Sequence, residues 1–257
     1  VFGFAPKAPV EAEAVAWIEQ SMQALLSVFG REFVLSMPVV LPTEAFFPDS
    51  WDGSEASSER FLHQVCGHMG VDPQRLHLAF LEEDGDKIKD SMPYWGGKSE
   101  GTAGLYIQSG AQDKIVIAVK VAERRDLASL IGVMAHELAH VILLADGKLP
   151  PGTEHMEPMT DLYTVFCGMG LFTANSAAKF TQYDNGQKQG WSFRRQGYLS
   201  EPSFGYALAV FAEMRGEHRP AWAKYLNVNV GTYFRQSCKA LAHVRAKTAP
   251  YYARRST

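Results

Sequence analysis

Apolar residues recur at helical spacing over residues 10–29, where Val15, Ile18, Met22, Leu25 and Leu26 share one side and Gly30 stands as the stop. Residues 33–41 are rich in Val and Leu and end at Pro42, a composition that predicts a strand. Ser54 to Met69 reads as a second helix closed by Gly70, and Leu76 to Leu81 as a further strand. Leu105-Tyr106-Ile107 and Ile115 to Val119 flank the polar turn Ser109 to Asp113, which is a β-hairpin signal. Asp126 is placed to cap a long helix reaching Ala145, where Asp146-Gly147 and Pro150-Pro151 stop it.

The remainder of the pattern is helical. Helices are predicted over 158–173, over Ser200 to Arg215 with Pro202 in the first turn, over 220–226, and over 232–247 with Thr232 as the cap. Asn175 to Tyr198 reads as a polar connection of a length that is often functional inside a compact domain. The expectation is therefore an α+β chain with a small mixed or antiparallel sheet in residues 1–125. Residues 126–257 are expected to form a mainly helical part, and the two together one compact domain.

Composition narrows this picture. With 46% apolar and 21% charged residues the chain is an ordinary globular one. A net charge of −3 gives no electrostatic reason to expect nucleic acid or an anionic membrane as partner. Cys66, Cys167 and Cys238 are odd in number and far apart, which argues against a disulfide framework and for small buried apolar side chains in a reducing compartment. No signal peptide is visible, and the apolar stretch Leu127 to Ala145 is interrupted by two His and one Glu. The expectation is a cytoplasmic protein, with nothing said about its oligomeric state.

That interruption carries the chemistry. In His136-Glu137-Leu138-Ala139-His140 the two imidazoles stand four apart on a helix and project from one side, so they can hold one cation. Glu137 sits beside them, where a carboxylate can accept a proton from water. Leu130, Met134, Leu138, Val141 and Ile142 form an apolar stripe displaced from the pair, which is expected to leave the His side free to line a cleft. A catalytic zinc takes three protein ligands and leaves one position open. Sixteen residues intervene before Glu157, and Asp161 follows it by four, so both carboxylates can face one way at the start of the next helix. One can bind the ion while the other orients a ligand His through its ring N–H.

These positions resemble the gluzincin branch of the HExxH zinc metallopeptidases, in which a second helix supplies a Glu ligand within a Glu-x-x-x-Asp pattern. The resemblance is confined to this short stretch. It implies a zincin-like fold, a Zn2+ cofactor held by His136, His140 and Glu157, Glu137 as general base, and Asp161 as partner of a ligand His. Pro158 disfavours helical geometry at Glu157, which leaves Asp161 and His155 as alternative third ligands.

A peptidase also needs a donor to the developing oxyanion. Tyr198, at the end of Arg194-Arg195-Gln196-Gly197-Tyr198, is the chosen candidate; Tyr206 reads as core and His218 lies just beyond. The hairpin before the metal helix is able to offer an edge strand to an extended peptide. Asp84-Gly85-Asp86 lacks the spaced acidic ligand of a calcium loop and reads as a solvated turn. The functional expectation is a zinc hydrolase acting on a peptide or protein substrate. Its rivals are an inactive zincin-like binding module and a zinc hydrolase of other bonds.

Overall fold

The computed structural model describes residues 6–81, 104–108, 114–150, 152–182 and 199–253. Helices α1 (Ala12–Phe29), α2 (Arg31–Ser36) and α3 (Glu55–Met69) precede strands β1 (Leu76–Leu81), β2 (Gly104–Gln108) and β3 (Ile115–Lys120). Helices α4 (Leu127–His140), α5 (Met156–Phe166), α6 (Gly170–Gln182), α7 (Glu201–Met214) and α8 (Val228–Ala253) follow. The class is α+β and mostly helical.

The sheet has the order β1-β3-β2. β2 and β3 form the antiparallel pair of the expected hairpin, whereas β1 runs parallel to β3 with Leu76 opposite Ile115. The sheet is thus mixed, and an all-antiparallel arrangement is excluded. A parallel neighbour requires both faces to be covered, and the β3 sequence shows it. Ile115, Ile117 and Val119 join Leu78 and Phe80 in the main core, while Val116 and Ala118 meet Ala79 and Leu81 in a small second cluster. The result is a continuous Ile-Val-Ile-Ala-Val run instead of an alternating one.

Three predicted elements are corrected. Residues 33–41 form no strand: Phe33, Val34 and Leu35 belong to α2, and Val40 donates its N–H to the Gly168 carbonyl at 3.0 Å. Arg215 decides the matter by donating from its guanidinium to the carbonyls of Val34 and Met37, which fixes the end of that helical turn. Residues 158–173 are two helices, because Gly168 turns the backbone to φ 87°. A side chain there would put Cβ 2.2 Å from the Pro38 carbonyl oxygen, so the break also lets the chain pass close by. Finally, α8 begins at Val228, with the Asn227 side chain accepting from Val230 N–H at 2.8 Å. Thr232 lies inside the helix and bonds back to the Val228 carbonyl. The predicted connection from Asn175 is helical to Gln182; its remainder, the hairpin turn and Asp84-Gly85-Asp86 lie outside the described residues.

α4 is the axis of the molecule. Asp126 caps it by accepting from Ala128 N–H at 3.0 Å and Ser129 N–H at 3.3 Å. Its neighbours are α3, α5, α6, β2 and β3, so every residue from Ser129 to His140 is buried. The stripe anticipated from the sequence therefore continues around the helix, and the His pair is itself buried, facing α5. Leu127–Ala145 is apolar and long enough to cross a membrane by length and composition, yet 83% of its most apolar window is buried here, as in the core helix of a soluble fold.

The three cysteines are free thiols. Cys66 and Cys167 are buried among apolar groups, and burial pushes each thiol up to about 12.

Candidate metal centre

The polar residues of α4 are buried, so each must find a partner. α5 supplies them. His136 is 4% exposed and His140 8%, and their rings stand 4.9 Å apart between centroids at 80°. Nδ1 of His136 lies 2.8 Å from Asp161 Oδ1, and Nε2 of the same ring lies 3.0 Å from Glu157 Oε2. Nε2 of His140 is 3.4 Å from that same Glu157 oxygen. Nδ1 of His140 is 3.3 Å from the hydroxyl of Thr160. The other oxygen of Asp161, Oδ2, accepts the backbone N–H of Leu199 at 2.7 Å.

Local sequence explains how α5 presents these groups. Glu157, Thr160 and Asp161 stand at i, i+3 and i+4, one helical side turned to α4. Pro158 does not prevent helical geometry at Glu157. It falls in the first turn, where a backbone N–H has no partner within the helix. The helix is entered through His155, whose backbone is left-handed at φ 58°, and whose ring meets Trp17 edge-on at 6.4 Å. Beyond His140 the last turn of α4 widens: Asp146 N–H bonds the Val141 carbonyl five residues back at 3.0 Å, a π-helical turn of the kind frequent at functional sites.

The donor set fits a metal ion. One atom each from His136, His140 and Glu157 can be chosen so that all lie within 4.8 Å of one another, and no other such group occurs among the described residues. Ligands of a tetrahedral ion bonded at about 2.0 Å stand about 3.3 Å apart, and the two distances to Glu157 Oε2, 3.0 and 3.4 Å, bracket that spacing. With Nδ1 of His136 donating to Asp161, its Nε2 carries a lone pair toward a carboxylate oxygen. That contact is repulsive unless a cation or a proton lies between them.

The electrostatics agree. Burial works against a charged His136, yet its bonds to Asp161 and Glu157 hold it well above its usual range. Burial likewise opposes a charged Glu157, but its contacts with His136 and His140 hold it well below the usual carboxylate range. Glu157 is also the outward-facing member, with 41% of its side chain exposed. Burial pushes Glu137 up, against the pull of both imidazoles, and pushes Asp161 up in the same way.

Of the residues singled out from the sequence, His136, His140, Glu157 and Asp161 come together and Glu137 lies among them on α4. His155 is not in the group of converging donors. Tyr198 lies outside the described residues. Tyr206 is core, 2% exposed, and donates to Glu19 at 2.6 Å. His218 lines a surface cavity of about 430 Å³ with Arg215 and Trp222, and none of the converging donors borders that cavity. Two contributors went unread in the sequence. Thr160 was legible in principle from the i, i+3, i+4 spacing; the Leu199 N–H, a backbone group distant in sequence, was not.

No protein-family model, curated protein or solved structure matches the chain.

Proposed function

We propose that this protein is a zinc-dependent hydrolase of the gluzincin type, acting on peptide bonds. One observation carries the reading: two Nε2 atoms and a Glu157 oxygen converge, while both opposite ring nitrogens are engaged by Asp161 and Thr160. His136, His140 and Glu157 would hold the ion. Bound zinc supplies Lewis acidity, lowering the pKa of water to about 7 and polarising a carbonyl.

The chain's own residues do the rest. Glu137, next to His136 and only 3% exposed, takes the proton of the attacking water on its carboxylate and returns it to the departing nitrogen. Burial raises its pKa above the usual carboxylate range, against the pull of both imidazoles, which favours uptake of a proton. Asp161 fixes the His136 ring, and its bond to Leu199 N–H ties the start of the α7 region to the same point. Among the described residues β2 is an edge strand packed beside α4, and an extended peptide pairing with it would lie along the metal helix. Tyr198, the residue before Leu199, is the proposed oxyanion donor. Free, well-separated thiols suit the reducing cytoplasm.

The test is metal content followed by substitution. Purified protein should hold about one zinc per chain. Glu137→Gln should keep that zinc and lose peptide hydrolysis by about 10²-fold or more, and His140→Ala should lose both. A protein that refuses added zinc ends this reading. A protein that binds zinc yet cleaves nothing in a proteome-derived peptide library is instead a binding module or a hydrolase of other bonds.

A further inference from the structure

We propose that Thr160 is a positioning residue of the metal centre, one that selects the ring tautomer of His140 and thereby turns its Nε2 lone pair toward the ion. The inference rests on the zinc-site reading above and deepens it.

A threonine hydroxyl has a single proton. Here Oγ1 of Thr160 lies 2.8 Å from the Met156 carbonyl, one helical turn back, and a carbonyl can only accept, so the proton goes there. What remains on Oγ1 is acceptor capacity, and His140 Nδ1 lies 3.3 Å from it. That nitrogen is therefore the N–H donor, and Nε2 carries no proton and faces Glu157 Oε2 at 3.4 Å. Thr160 is fully buried, so no bulk water is at hand to replace it. The backbone of α5 thus sets the hydroxyl, the hydroxyl sets the imidazole, and the imidazole faces the site.

The two ligand histidines are held differently. At Nδ1, His136 meets a carboxylate and His140 a neutral hydroxyl. The neutral partner suits its place: Glu157 and Asp161 already act on Glu137 as like charges, and a further carboxylate at position 160 would add to that repulsion. A hydroxyl fixes the tautomer with no added charge.

Thr160→Val keeps the volume and the branched Cβ but removes the hydroxyl; Thr160→Ser keeps the hydroxyl and removes a methyl. Zinc affinity is measured by competition with a chromophoric chelator. The His140 Nδ1–H is followed in the zinc-loaded protein by long-range ¹⁵N–¹H spectra. Relative to wild type, Thr160→Val should weaken zinc binding about 10-fold or more and lose the slowly exchanging Nδ1–H signal. Thr160→Ser should stay within about threefold of wild type and keep the signal, although it removes more packing. Equal weakening by both variants would assign Thr160 to packing alone, and wild-type affinity in Thr160→Val would remove its role. If Thr160→Val does not fold, the wild-type and Ser spectra decide, since an Nε2–H tautomer in either overturns the proposal. Wild-type protein that binds no zinc defeats the metal reading itself, a result distinct from all of these.

Discussion

At the scale of single residues, the centre is a cluster of groups that would be unfavourable apart. His136 is kept protonatable by Asp161 and Glu157 against the effect of burial, and Glu157 is kept ionised by the two imidazoles. A cation entering the site must therefore displace a proton from His136, whose affinity for it lies well above the ordinary range. Lowering pH favours the proton and raising pH favours the metal, so zinc affinity should rise with pH. The slope should approach about tenfold per unit wherever one proton is displaced. Competition titrations between pH 6 and 8, paired with calorimetry in buffers of different ionisation enthalpy, measure both slope and proton count. Affinity independent of pH across that interval would show that His136 enters the reaction already neutral.

At the scale of elements, two glycines separate conformational strain from steric exclusion. Gly147 has φ 64° and nothing within 4 Å of an added Cβ, so Gly147→Ala should cost only about 1 kcal/mol of backbone strain. Gly168 has φ 87° and would press Cβ to 2.2 Å from the Pro38 carbonyl, so Gly168→Ala should cost several kcal/mol, at least about 2 more than Gly147→Ala. Urea denaturation of the two variants measures the difference, and equal losses would mean that the chain around Pro38 yields freely. The same region shows what could be read in advance. α4 was legible because a capping Asp, a long apolar run and a Gly stop agree with one another. The break at Gly168 was hidden because Leu171 and Phe172 continue the apolar pattern past it. Residues 33–41 misled for another reason. Val and Leu in a short run specify burial without specifying period, and the choice fell to Arg215, a side chain from a distant helix that caps the Val34 and Met37 carbonyls. The pair His136 and His140 was readable from spacing because one helix carries both. The bond from Leu199 to Asp161 needs the fold before it exists.

For the molecule as a whole, the question is whether an ion held at the proposed site would be needed for folding. The buried cluster runs from Ile18 in α1 to Phe234 in α8 and draws on every helix between. A chain of 257 residues with such a core has no need of an ion to close it, in contrast to a zinc finger, whose folding is its metal binding. The ion would nevertheless join α4 to α5, two helices separated by the π-helical turn and the connection after it, and it would bind only where both are in place. Binding to the native state alone then appears as added stability, about 4 kcal/mol at a thousandfold excess over the dissociation constant. For a domain of this size that corresponds to a rise in melting temperature of roughly 8–16 °C. Chelation should accordingly lower the midpoint by that order while far-UV dichroism at 25 °C keeps its helical signature, and stoichiometric zinc should restore it. Glu137→Gln should show the same shift, because Glu137, the proposed general base, is not among the proposed ligands; His140→Ala should show none. Loss of helical dichroism on chelation would mean instead that the buried carboxylates and imidazoles cannot be held together without the ion, and that α4 owes its place in the core to the metal.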